Sequence, residues 1–239
     1  MEGLNPPKTI YRVDMKSASE PVIEHLLKGI QGFQSRFYDH SPEMMKTLSE
    51  KGQHPKVLLI ACSDSRVDPA ILTGARPGDL FVIRNVANLV PPYSPEGVRD
   101  GAGAAIEYAV RDLQVEHIVV LGHAQCGGIK AFLSGLAGKP LARDFIGGWV
   151  SMVVDSALKF MRLPGEDDID VANLANHQHL CERASIRGSI ANLRSYPWIE
   201  SEVAAGRLQL HGWWFDLETG DLWCTDSENQ NFLPRLDDA

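Results

Sequence analysis

The chain has no apolar run near the ~20 residues that cross a bilayer. Its longest, Val57 to Cys62 and His117 to Leu121, are only strand-length. Positive charge is also scarce: 23 Lys and Arg stand against 31 Asp and Glu in 239 residues, a net charge of −8. With no basic patch there is little to neutralise phosphates, so a general nucleic-acid binder is excluded. Met1 to Met15, with Glu2, Pro6, Pro7, Lys8, Arg12 and Asp14, lacks the apolar centre of a secretion signal. Glycine and proline number 21 and 14, well short of the ~25–30% of low-complexity chains. Cysteine is sparse too, with only Cys62, Cys126, Cys181 and Cys224. A chain of this length buries roughly 70–75% of its unfolded surface without needing disulfides. The expectation is a soluble, cytoplasmic protein with no membrane or nucleic-acid partner. In that compartment its thiols stay reduced and serve as metal ligands or nucleophiles rather than bridges.

What is present is a change of pattern near residue 55. Residues 1–54 read as a helical arm: Pro21 to Leu27 opens an amphipathic stretch that Ile30, Phe33 and Phe37 continue, with Gly29, Gly32 and Pro42 interrupting it. It has little means of burying itself alone, so it is expected to pack on the body or on a partner subunit. From 55 to 239 short apolar strands alternate with helices, predicting one α/β unit with a mostly parallel central sheet flanked by helices. The predicted strands are Val57 to Ala61, Asp79 to Ile83 and His117 to Leu121. Helices are predicted over Gly101 to Leu113, from Gly127-Gly128 to Leu133, over Asp144 to Met161 and over Val171 to Leu193, with Pro164-Gly165-Glu166-Asp167-Asp168 as a turn. Arg207 to Asp216 and Leu222 to Thr225, joined through Glu218-Thr219-Gly220-Asp221, form a C-terminal edge hairpin.

In such sheets, sites form where strands end at their carboxyl edge. The first strand runs into Cys62-Ser63-Asp64-Ser65-Arg66 and the third into Gly122-His123-Ala124-Gln125-Cys126-Gly127-Gly128. Cys62, His123 and Cys126 offer two soft thiolates and one imidazole, a set suited to tetrahedral zinc with its fourth position open. Glycines 122, 127 and 128 let the backbone close in on the metal and start the next helix near the sheet. Two other readings compete: buried core thiols, and a Cys62 nucleophile with His123 as base, which leaves Cys126 without a purpose. Cys181 and Cys224 read as structural thiols.

These motifs, with Arg84-Asn85-Val86-Ala87-Asn88 between them, resemble the β-class carbonic anhydrases. The resemblance continues through Gly103 to Val110 and Leu210-His211-Gly212-Trp213, covering nearly everything from Gln53 to Asp226. It implies reversible hydration of carbon dioxide to bicarbonate and a proton by attack of zinc-bound hydroxide, with one zinc per subunit on Cys62, His123 and Cys126. It implies a catalytic pair, Asp64 and Arg66, in which the aspartate either binds the metal in a closed site or pairs with the arginine in an open one. It also implies a substrate pocket of Phe81, Val86 and Tyr108, with Gln53 reaching in across a dimer interface, and assembly as homodimers or multiples of dimers. Within the family the chain looks like the plant-type subclass. The subclass inhibited allosterically by bicarbonate carries Trp three residues before the first ligand, where this chain has Leu59. Two thiolates place more negative charge on a metal than imidazoles do, so an alkaline preference is expected. The rival functions are hydrolysis of carbon disulfide or carbonyl sulfide at the same site, and a non-catalytic zinc-stabilised assembly protein.

Overall fold

The computed structural model describes residues 21–95, 100–139, 142–161 and 177–235. The expectations for Met1 to Met15, for the turn Pro164 to Asp168 and for residues 171–176 lie outside them. The chain divides into two compact units, Met1–Gly52 and Gln53–Ala239.

In the first unit, α1 (Val22–Gln34) passes straight through Gly29 and Gly32, correcting the expected interruptions. Glycine disfavours a helix by only ~1 kcal/mol each, and the apolar positions keep their helical spacing across both. A single π turn (Ser35–Asp39) follows, and Pro42 does not break a helix but starts one: α2 (Pro42–Lys51) has proline in its first turn, where the missing N–H costs nothing.

The second unit is built on six strands of the described residues in the order β2-β1-β3-β4-β5-β6. They are β1 (Val57–Cys62), β2 (Leu80–Asn85), β3 (His117–His123), β4 (Gln209–Phe215), β5 (Leu222–Thr225) and β6 (Phe232–Pro234). The first four run parallel, and β5 and β6 are antiparallel additions. Central β1 and β3 are almost continuously apolar because both sheet faces are covered. On one face Leu58, Ile60, Ile118 and Val120 meet Ile106 of α4 (Gly101–Glu107), Ile186 and Ile190 of α8 (Gln178–Arg194) and Ile199 of α9 (Pro197–Ala204). On the other, Leu59, Ala61, Val119 and Leu121 pack with Leu72 of α3 (Pro69–Thr73).

A further apolar cluster closes the carboxyl end of the sheet. It joins Cys62 and Cys126 to Ile129 and Phe132 of α5 (Gly127–Leu136), Val150 of α6 (Ile146–Val150), Val153 and Ala157 of α7 (Val153–Phe160), and Cys181 and Ala184 of α8. The single helix expected over Asp144 to Met161 is thus two, α6 and α7. The predicted hairpin turn joins β4 to β5 as expected, but β4 lies inside the sheet, parallel to β3, and β6 carries the edge one strand further. Arg183 of α8 fixes that margin, its guanidinium 4.3, 4.8 and 5.8 Å from the ring centroids of Trp214, Trp223 and Phe232.

Candidate metal centre

Cys62 and His123 are the last residues of neighbouring parallel strands, β1 and β3, whose register pairs Ala61 with Leu121. Cys126 follows after a tight turn in which Gln125 takes a left-handed φ of 56°, and it sits at the N-cap of α5. One sheet edge therefore delivers all three side chains. All are buried, and their ligating atoms lie within 4.8 Å of one another, the two sulfurs 3.9 Å apart.

The donor chemistry fits zinc. His123 is 1% exposed and donates Nδ1–H to the Ala124 carbonyl at 2.8 Å, which leaves Nε2 as a lone-pair donor. That buried Nε2 finds no hydrogen-bond partner among the described residues, an arrangement a metal would satisfy. The two sulfurs hydrogen-bond to each other, and this contact, with the Asp64 and Ala87 backbone N–H groups, draws the Cys62 pKa down despite burial. The same contact, with burial, pushes the Cys126 pKa up, so the pair shares one proton. The N–H groups of Gly128 and Ile129, at the start of α5, work the other way on Cys126 and favour its thiolate. Zinc would replace that shared proton.

Asp64 and Arg66 lie beside the cluster. Arg66 grips the carboxylate with both arms, Nε to Oδ1 at 2.9 Å and an Nη to Oδ2 at 2.7 Å, and its backbone N–H adds a bond of 3.0 Å. Chiefly through these side-chain bonds, the Asp64 carboxyl is held well below the usual carboxylate range. Its Oδ2 is 3.9 Å from His123 Nε2. Arg66 also reaches the Gln125 carbonyl at 3.2 Å, tying the two motifs together.

Arg84, in the motif between the two ligand segments, holds the loop that follows β1. It donates to the carbonyls of Cys62 (3.0 Å) and Asp64 (2.7 Å) and to the Asp68 carboxylate (2.8 Å). Asp68 in turn caps α3. The loop carrying one ligand and the aspartate is thereby pinned at three points. Of the three glycines beside the ligands, Gly122 and Gly128 have close neighbours: a Cβ would come 2.6 Å from Ile186 and 2.7 Å from Val86 respectively, while at Gly127 it would meet open space.

The expected pocket residues separate. Val86 follows Asn85, the register partner of Cys62, and is 37% exposed at the ligand edge. Phe81 and Tyr108 touch each other, ring centroids 5.9 Å apart, but Phe81 pairs with Leu58, four residues down β1 from Cys62, or about 13 Å along the strand. Gln53 is exposed ahead of β1, at the opposite edge of the sheet. Glu182, Gln178 and Trp214 had no place in the sequence reading, yet Glu182 and Gln178 bond the Cys126 backbone and Trp214 bonds Glu182. No local spacing announces them, because Glu182 lies 56 residues from Cys126.

Comparison with known proteins agrees with this geometry. A family profile described as "Carbonic anhydrase" matches residues 57–222. A carbonic anhydrase of Synechocystis sp. is 37% identical over 217 residues, 88% of this chain and 74% of that protein. Among solved structures, the β-carbonic anhydrase CcaA aligns with a TM-score of 0.73 at 33% identity, covering 90% of this chain and 92% of the other. The tetrameric β-carbonic anhydrases of the ascomycete Sordaria macrospora align at 0.67 with 27% identity, covering 85% and 96%.

Proposed function

This chain belongs to the β-class carbonic anhydrases, and from that premise we propose that Asp64, held by Arg66, directs the attacking oxygen while a second subunit completes the substrate pocket. The activity is the zinc-dependent reversible hydration of carbon dioxide to bicarbonate and a proton. Zinc on Cys62, His123 and Cys126 would supply the Lewis acidity that makes a nucleophile of water near neutral pH.

The role of Asp64 rests on one observation: its carboxylate is clamped by the Arg66 fork with Oδ2 facing the ligand cluster. A carboxylate that stays ionised and cannot rotate is an acceptor of fixed direction. It takes a hydrogen bond from the attacking oxygen and turns the remaining lone pair toward carbon dioxide. Arg66 also keeps Asp64 away from the ligands, so an open resting site goes with this reading. Arg84 holds the loop on which both depend.

Carbon dioxide is small, neutral and apolar, and needs hydrophobic walls with one or two donors. Val86 is the wall this subunit places at its own ligands. The displacement of Phe81, Tyr108 and Gln53 from that edge supports their serving the site of a partner, Phe81 and Tyr108 as walls and Gln53 as a donor. A homodimer, or a multiple of dimers, follows. An arm over 1–54 joined to a catalytic unit over 55–239 fits it, since α1 leaves Val22, Ile23, Leu26 and Ile30 exposed, as a partner-seeking helix would. Leu59, in the position of the allosteric tryptophan, and Arg84, committed to backbone carbonyls, support the plant-type subclass. No helix among the described residues is long and apolar enough to cross a membrane; four free cysteines support a cytoplasmic setting.

The test is Asp64→Asn. It should keep its zinc, lose roughly 10²–10⁴-fold in hydration rate by stopped flow, and leave the alkaline midpoint in place, because a carboxyl with so low a pKa is ionised throughout the assay range. Unchanged turnover would remove Asp64 from the reaction.

A further inference from the structure

We propose that Glu182 is the positioning residue for the metal ligand Cys126, acting through the backbone rather than the sulfur. Cys126 stands at the N-cap of α5, where a side chain normally turns back to bond the helix's first N–H groups. Here the side chain is a sulfur set in the ligand cluster, 3.9 Å from that of Cys62, so its direction matters to the metal as well as to the helix. The peptide that carries this sulfur is gripped from α8. Glu182 Oε1 accepts the Cys126 N–H at 2.9 Å, and Gln178 Nε2 donates to the Cys126 carbonyl at 3.3 Å. Gln178 also donates to Glu182 Oε1 at 2.9 Å, and Trp214 donates to Oε2 at 3.3 Å, so the carboxylate itself cannot swing. Trp214 pairs in register with Gly122, the residue before His123. One carboxylate thus joins α5, α8 and β4 at the point where two of the three ligands leave the backbone.

Glu182 is only 2% exposed, and a carboxylate taken out of water is costly. Packing alone would be served as well by an apolar residue of that size. The three converging donors give the burial a purpose: an acceptor of fixed position behind Cys126. Groups that orient metal ligands in this way typically change metal affinity by about 10–100-fold when removed.

The inference rests on the zinc reading of Cys62, His123 and Cys126, and its test separates the two. Zinc release to a chelator and the thiolate-to-metal charge-transfer band of the cobalt form are measured for the wild type, Glu182→Ala and Glu182→Gln. Unfolding of each metal-free protein is followed alongside. Glu182→Ala should release zinc about 10–100-fold faster and shift the cobalt band, beyond anything its metal-free stability explains. Glu182→Gln keeps an acceptor at Oε1 and should recover most of both. Wild-type release and spectrum in Glu182→Ala overturn the role, and so does a Gln variant no better than Ala. Should Glu182→Ala fail to fold, Gln178→Leu decides: faster release supports the role, unchanged release overturns it. A wild type that binds no zinc, or a Cys62→Ser variant that binds it undiminished, defeats the zinc reading itself.

Discussion

Four thiols of one chemical type occupy three kinds of environment, and their reactivity should divide accordingly. Cys181 is fully buried, its sulfur 3.4 Å from that of Met161, and burial pushes its pKa up to about 12. Cys224 is half-buried on β5, with a more modest upward shift also due to burial. Cys62 and Cys126 share a proton in the absence of metal, their contact lowering the pKa of Cys62 and raising that of Cys126. In the zinc-loaded protein a thiol reagent at about pH 8 should therefore modify Cys224 alone, and slowly. A chelator should add Cys62 and Cys126, with Cys62 reacting first, while Cys181 stays silent. Peptide mapping of the modified protein reads this directly. Equal Cys62 labelling with and without chelator would favour the nucleophile reading instead. The metal-site triad was legible in the sequence because strand ends and the His-x-x-Cys turn are local patterns. Glu182, Gln178 and the hold of Arg84 on two carbonyls were not, because each is recruited by tertiary packing from another element.

At the scale of elements, strands β1 and β3 could be read from apolar runs, and the helices beside them from three-and-four spacing. The short pieces escaped. α3 has five residues and β6 three, too few for a period to register, and β6 is held by the Arg183 stack that forms only on folding. The closeness of α7 and α8 is likewise invisible locally, yet it decides how near α8 lies to the metal site. At Gly188 a Cβ would come 1.8 Å from Ser156 Oγ and 3.3 Å from the Ser156 backbone. A methyl group there must push the helices apart, so Gly188→Ala should cost at least the ~1–3 kcal/mol of an overpacked core. Denaturant unfolding should show a lower midpoint with an unchanged slope. Because α8 carries Glu182, zinc release should quicken as well. Wild-type stability would mean that the two helices are not packed this closely.

At the scale of the molecule, the sheet places its ligands at one edge and Gln53 at the other, with the Phe81 and Tyr108 pair between. β1 alone spans roughly 17 Å from Val57 to Cys62 at ~3.3 Å per residue, and Gln53 lies four residues ahead of its first residue. The proposed two-fold dimer would resolve this, since each chain could lend Gln53 to the other's ligands. Subunit mixing tests it. Gln53→Ala and Cys62→Ser, each impaired alone, are unfolded, mixed in equal amounts and refolded. If Gln53 acts across the interface, every mixed dimer contains one site with intact ligands and an intact glutamine, plus one site with both defects. Random pairing makes about half the dimers mixed, each with one good site of two, so hydration should recover to about a quarter of the wild-type rate. If Gln53 acts within its own chain, both sites of every mixed dimer are defective and mixing restores nothing. The same experiment with Tyr108→Ala in place of Gln53→Ala then asks whether the aromatic pair crosses with it.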